Sequence, residues 1–393
     1  MLKEFIIKKS KLLSEIALAV MIFLYTYFTV ITFAPINGYV GDEVWYPSAA
    51  YNILKFIFHI TPPMYYPYPQ ESNIQNYINP EHPPLAKYIM AIFIVLFGYK
   101  PLAWRLGSWI IGDLMIIVGF LLARKLVGGE LGNIAGLVAA MLMILSPNLW
   151  LLHGIAMLDI YVSFFILLSI YFLLSDNLLL ASITLGLAFA SKESAFPLIF
   201  PFLYYIGEFK KSPIQRAVYS MGIPATVFAI LSIPIMIYFD GISGWIHNSF
   251  LYMLGWDATN GHISLTAIDQ ISTPWDWFLD IHPFYVGYNF YASTNPFIMW
   301  AWVVTTPLAF IIRDLKSIIL TISAWTIWLS FCVVYILGNH TLFSFYVTDF
   351  AGIINVYVPV SIFKFYRWIS TRRSEKVNNF VKQDNPGSPS NVS

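Results

Sequence analysis

Ten apolar stretches punctuate this chain, most of them near the length that crosses a bilayer, and they leave it little choice of fold. They fall at 16–33, 106–122, 133–149, 156–174, 178–190, 195–206, 217–238, 296–312, 318–337 and 342–363. A crossing helix needs about 20 apolar residues. A helix suits lipid because it satisfies its own backbone polar groups. The chain is 58% hydrophobic and only 11% charged, more apolar side chain than a soluble domain hides. The expected fold is therefore an all-α polytopic membrane protein with about ten transmembrane helices. Two of the stretches, 178–190 and 195–206, are short. They read as a broken pair meeting at Ser191-Lys192-Glu193, a break tolerated where it lines a cavity. The apolar run 86–97 is too short to span and reads as an interfacial helix started by Pro83-Pro84.

The basic residues assign sides. With the N-terminus cytoplasmic, Arg124, Lys125, Lys210, Lys211, Arg216, Arg313, Lys316 and the basic tail all fall inside, as the positive-inside rule requires. Only Lys55, Lys87, Lys100, Arg105 and Lys192 stay outside. This places both termini in the cytoplasm of a multi-pass cell-membrane protein. A single transmembrane domain is expected over 1–370, with outer loops at 35–104 and 240–295, and a polar, disordered tail over 371–393. The second loop is rich in Trp and His, His262 among them. It reads as an aromatic belt at the headgroups or as a wall over a site. A net charge of +1 says nothing about nucleic acid, but no basic patch interleaved with stacking aromatics is present, so no nucleic-acid partner is expected. The single cysteine, Cys332, excludes an intramolecular disulfide.

Charge is scarce, so chemistry is sought where it gathers beside the membrane. Gly41-Asp42-Glu43 follows the first span, and Glu81-His82-Pro83-Pro84-Leu85-Ala86-Lys87 comes later in the same loop. Adjacent acids point different ways on a regular element, so Asp42 and Glu43 are no carboxylate dyad. One faces a substrate while the other orients, or both are solvated loop acids. His82 is held by the stiff backbone of two prolines. Lys87 suits a lipid phosphate as a point charge, or it snorkels to headgroups. Arg105 and Lys192 are cations on the disfavoured side, and together they point to a bound anion. Alternatively, Lys192 pairs with Glu193 or Asp159. Asp159 opens a span, where an ionisable residue is a functional candidate or a helix cap. No zinc signature and no glycine-rich phosphate loop appears. No cofactor is called for, and a divalent metal remains open.

These residues resemble the dolichyl-phosphate-mannose protein O-mannosyltransferases, within the GT-C group that also includes the aminoarabinose transferases. The likeness rests on the Asp-Glu after the first span, His-Pro-Pro-Leu-x-Lys, the Arg opening the next span, Leu158-Asp159 and Gly186–Lys192. Ala86 stands where the family usually has Gly, and Gly154 where it usually has Arg. The resemblance implies inverting transfer of a sugar, mannose first, from a polyprenyl-phosphate donor. The acceptor would be a Ser or Thr hydroxyl of a protein on the outer face. It implies Asp42 as catalytic base and Glu43 as its partner. His82, Lys87, Arg105, Asp159 and Lys192 would stand around the donor. A lipid or glycan acceptor is the rival reading, and a transporter is another. Against a transporter, the sequence shows no inverted halves, and its polar residues gather on one face rather than at mid-bilayer.

Overall fold

The computed structural model describes residues 2–208, 211–259 and 270–384, and it is mostly helical. The helices are α1 (Leu2–Phe33), α2 (Tyr46–Phe56), α3 (Leu85–Phe97), α4 (Pro101–Val127), α5 (Gly129–Ile144), α6 (Pro147–Gly154), α7 (Leu158–Leu173), α8 (Leu178–Phe189), α9 (Ile199–Glu208), α10 (Pro213–Ala217), α11 (Ile223–Tyr238), α12 (Ile242–Ile246), α13 (Tyr252–Thr259), α14 (Pro296–Ile311), α15 (Leu315–Ile336) and α16 (Thr348–Asp384). Every expected apolar stretch is helical, but they differ in length. Among the described residues, five helices are long and apolar enough to cross a membrane: Lys9–Phe33, Pro101–Val127, Pro213–Tyr238, Leu315–Ile336 and Ser344–Ser374. A sixth is reached if α5 and α6, bent by 67°, form one span. The remaining stretches of the expected ten are shorter helices. At 1.5 Å per residue they cover less than the roughly 30 Å of hydrocarbon.

Capping explains where the short helices start. The Asn177 side chain accepts from Leu180 N at the start of α8, and Asn295 does the same for Ile298 N at the start of α14. Pro147 sits in the first turn of α6, where a missing N–H costs nothing, so the chain bends at Ser146 instead of continuing α5. Between α8 and α9 the chain does break at Ser191–Lys192, then makes a 3₁₀ turn over Glu193–Leu198. The last helix runs to Asp384, so much of the stretch expected to be disordered is helical. His262 and the tail end 385–393 lie outside the described residues.

One continuous apolar core runs from Leu18 on α1 to Val360 on α16. Against one end of it sits the first loop. Here α2 is tied down through Asn52, which donates to Ile74 O (2.7 Å) and Tyr77 O (2.8 Å) and accepts from Tyr68 (2.6 Å). The second loop adds an antiparallel hairpin, β1 (Phe284–Gly287) with β2 (Phe290–Ala292), pairing Tyr285 with Tyr291. Tyr288 and Asn289 both take positive φ at its tip, as a turn matching strand twist demands. Phe290 packs its ring on Phe33 at 5.1 Å, so the hairpin lies over the end of α1.

Candidate active site

Asp42 lies on a 3₁₀ turn, Gly41–Val44, just after α1. Gly41 has φ +56° and a built Cβ would meet Val286 of the hairpin at 3.2 Å, so the position needs glycine. The turn sends the two acids apart. Glu43 is fully buried and points inward. Its carboxylate receives Arg105 Nε at 2.7 Å and Nη2 at 2.6 Å, and the backbone N–H groups of Val40 (3.0 Å) and Ala156 (2.9 Å). Arg105 spends its other donors on the carbonyls of Phe33 (2.9 Å), Ile36 (2.8 Å) and Gly38 (2.6 Å). All five guanidinium N–H groups are thereby used. The pair clamps the end of α1 to α4 and to the turn before α7.

Asp42 faces the other way, half-buried, into a cavity of about 880 Å³. Tyr46 Oη donates to it at 3.4 Å. Burial first, and then the negative charge of Asp159, push its carboxyl up to about 6; His82, Tyr46 and Lys192 pull the other way. The cavity has two kinds of lining. Asp42, Trp45, Tyr77, Glu81, His82, Lys192 and Glu193 supply polar lining, and Phe331, Val334, Leu342, Phe343, Met253 and Leu254 supply apolar lining. The second loop, through Phe250–Leu254, thus serves as a wall.

The expectation that Lys87, Arg105 and Lys192 ring one phosphate does not survive this geometry. Arg105 is sealed behind Asp42 by Glu43. Lys87 is 1% exposed, and its ammonium donates to Asn79 O, to Asn79 Oδ1 (3.2 Å) and to His82 O (2.8 Å). It staples the loop that carries His82, and burial pushes it down to about 7. Only Lys192 of the three lines the main cavity. Its Nζ donates to Asp159 Oδ1 at 2.5 Å and to Asp349 Oδ2 at 3.1 Å, and lies 4.3 Å from the centre of the Tyr346 ring. Asp159 is therefore a buried partner of Lys192 behind the cavity wall. His82 does line the cavity, its Nδ1 3.2 Å from Glu193 Oε2.

Asp349 and Glu193 are the charged groups that the sequence reading underweighted. Asp349 lies inside the apolar run 342–363, which was itself a signal. Glu193 entered only as a possible neighbour of Lys192. His153, close to the missing arginine of the family pattern, turns away. Its Nε2 donates to Trp109 O at 2.8 Å and lies 3.4 Å from Asp113 Oδ1, inside the bundle. Gly154 packs on the Phe33 ring, which a Cβ would meet at 2.2 Å, so a larger residue there displaces the end of α1. Among the described residues, no group of three or more His, Cys, Asp or Glu side chains is placed to hold a metal ion.

Residues 81–238, which contain His82, Lys87, Arg105, Asp159 and Lys192, match the family model described as dolichyl-phosphate-mannose-protein mannosyltransferase. Over 98 residues the chain is 38% identical to a polyprenol-phosphate-mannose–protein mannosyltransferase of Corynebacterium glutamicum, a match covering 24% of this chain and 18% of that relative. Its fold is similar to the crystal structure of ArnT from Cupriavidus metallidurans bound to undecaprenyl phosphate. The TM-score is 0.54 at 12% identity, over 88% of this chain and 59% of that one. It is also similar to the Archaeoglobus fulgidus oligosaccharyltransferase in complex with zinc and sulfate. There the TM-score is 0.51 at 16% identity, over 93% and 52% of the two chains. The chain thus spans little more than half the length of these structures, and the polyprenol-phosphate match covers less than a fifth of its relative.

Proposed function

We propose that this mannosyltransferase-family protein transfers a sugar, mannose first, from a polyprenyl-phosphate donor to a Ser or Thr hydroxyl of a protein on the outer membrane face. The observation that carries the reading is Asp42. It is a carboxylate in a large cavity whose lining also includes His82 and Lys192 and the apolar side chains of Phe331, Val334, Leu342 and Phe343. The apolar lining suits an isoprenoid chain, and the polar lining suits a phosphosugar. In the transfer, the acceptor oxygen attacks the anomeric carbon from the face opposite the phosphate. The bond from that carbon to the phosphate oxygen breaks, and the lipid phosphate leaves with the electron pair. Asp42 takes the hydroxyl proton as the new bond forms. The configuration inverts because a single displacement occurs. A phosphate leaving group needs no general acid; it needs cations where its charge develops. The family match and the fold likeness to a structure titled as bound to undecaprenyl phosphate support the donor class.

The test is direct. Membranes holding the protein are given radiolabelled polyprenyl-phosphate mannose and other polyprenyl-phosphate sugars, and label is followed into protein, lipid and glycan fractions. Label from mannose in protein, alkali-labile as Ser and Thr O-glycosides are, is the expected result. Label confined to lipid or glycan moves the acceptor to the rival class. No transfer from any donor overturns the reading.

A further inference from the structure

This inference rests on the transferase reading above and concerns which group charges the donor site. Three cations stand near the cavity besides the sealed Arg105; Lys87 is consumed and Lys192 is shared with two acids while still lining the cavity. Lys192 lies between two carboxylates, Asp159 at 2.5 Å and Asp349 at 3.1 Å. The Lys87 ammonium is consumed by the loop it staples. His82 differs. Its Nδ1 meets Glu193 Oε2 at 3.2 Å, and its Nε2 has no hydrogen-bond partner among the described residues. Both side chains keep 24% of their surface open, and both line the main cavity.

The ring is also fixed in place. Pro83 and Pro84 follow it in the chain, and the Tyr46 ring meets it edge-on at 6.0 Å between centroids. Behind it lies a chamber of about 20 Å³, room for roughly one water. Pro80, Glu81, Glu193, Trp245 and Ser249 help to wall that chamber. His82 and Glu193 therefore form part of the partition between chamber and cavity. A carboxylate on one ring nitrogen fixes which way the other nitrogen points and favours a proton on both.

We propose that Glu193 is a positioning residue that keeps His82 as an imidazolium, so that its free Nε2–H, together with Lys192, takes the phosphate of the donor. The charged groups around the ring agree on balance. Burial disfavours the imidazolium, but Glu193 and then Glu81 favour it more strongly than Lys87 opposes it, and His82 is raised above its ordinary value. Asp42 adds another negative charge nearby. Glu193 in turn is held down at about 2, despite its burial, by His82 and Lys192. It therefore stays ionised throughout the working range.

The experiment reads His82 directly and donor use separately. In purified full-length protein carrying ¹⁵N-histidine, the ring nitrogens are titrated by NMR in wild type and Glu193→Gln, with His82→Gln assigning the signal. The donor Michaelis constant and turnover are measured against pH in the same proteins. The glutamine keeps shape and a hydrogen bond but removes the charge. In Glu193→Gln, His82 is expected to lose its proton at lower pH, and the donor Michaelis constant to rise about tenfold near neutral pH. That rise should be small at the acid end, where the ring is charged without help. His82→Lys should restore donor affinity in the Glu193→Gln background and flatten its dependence on rising pH. An unchanged His82 titration in Glu193→Gln overturns the inference while leaving the transferase reading intact. So does a Michaelis constant raised equally at every pH. Failure of wild type to transfer from any polyprenyl-phosphate sugar overturns both, whatever the NMR shows.

Discussion

Two ion clusters flank Asp42, and they are built differently. Behind it, Glu43 and Arg105 satisfy each other and the surrounding backbone, with every guanidinium donor used and no surface exposed. Beside the cavity, Lys192 has one strong contact to each of two acids. Asp159 Oδ2 and Asp349 Oδ1 are buried without a hydrogen-bond partner among the described residues. The first arrangement leaves nothing over for a ligand. The second leaves a carboxylate surplus and a cation at a cavity wall. Burying a charge costs several kcal/mol unless it is fully compensated. A site that tolerates unsatisfied buried oxygens is thus one where stability has yielded to use. Scarce charges in such a bundle are sorted by how completely they are satisfied. Sequence position does not sort them, since Asp42 and Glu43 are neighbours and belong to opposite kinds.

The largest effect should fall on Asp42 itself, which belongs to neither cluster. Asp42→Asn keeps the shape and removes the proton acceptor, and transfer should fall roughly 100- to 10,000-fold. Its melting temperature in detergent should stay near that of wild type. In wild type, the base works as a carboxylate. Turnover should therefore hold above its titration and fall as pH drops through about 6. An acid limb that is unchanged in Asp42→Asn, or a variant within a few-fold of wild type, would remove Asp42 from the mechanism.

Next comes the sealed pair. Arg105→Leu leaves the Glu43 carboxylate buried without its counter-ion, which should cost about 3–5 kcal/mol of folding free energy. The expected readout is a large drop in melting temperature and in folded yield. Glu43→Gln and Arg105→Leu combined should recover part of that loss, because no uncompensated charge remains. If Arg105→Leu folds normally and its defect lies in the donor Michaelis constant alone, the division between the two clusters is wrong.

The smallest effects, and the sharpest contrast, belong to the Lys192 cluster. Lys192→Ala should raise the donor Michaelis constant by about 10- to 150-fold, the value of a charge-assisted hydrogen bond of roughly 1.5–3 kcal/mol. Asp349→Asn should act in the opposite sense. It removes one of two acids competing for Lys192, and the donor Michaelis constant should fall by a few-fold. Kinetics across a donor series check both. A rise in both variants would show that the cluster holds the fold together, as the Glu43 pair does.

The helical class with several apolar, membrane-length helices was legible in the chain. Apolar runs of spanning length admit few other solutions, because lipid leaves backbone groups no partner outside a helix or a closed barrel. Charge beside such runs is costly enough to mark function, so Asp42, His82 and Lys192 stood out on scarcity alone. The break at Ser191–Lys192 was visible as a pair of runs too short to span. Lengths and partners were not visible. The caps at Asn177 and Asn295 fall where the expected stretches begin, while Pro147 divides the expected span 133–149 into two helices bent by 67°. Hydropathy also cannot tell Arg105, Lys87 and Lys192 apart. All three are cations beside a membrane, and their roles follow from which oxygens come within 3 Å. Those oxygens come from position 43 for Arg105, 62 residues away, from 159 for Lys192, 33 residues away, and from 79 for Lys87, only eight residues away. Asp349 reaches Lys192 across 157 residues because α16 and the turn after α8 both pack against α7. Such a meeting is a property of packing, where close contact between distant segments sets each charge's partners, and a linear sequence holds no record of it.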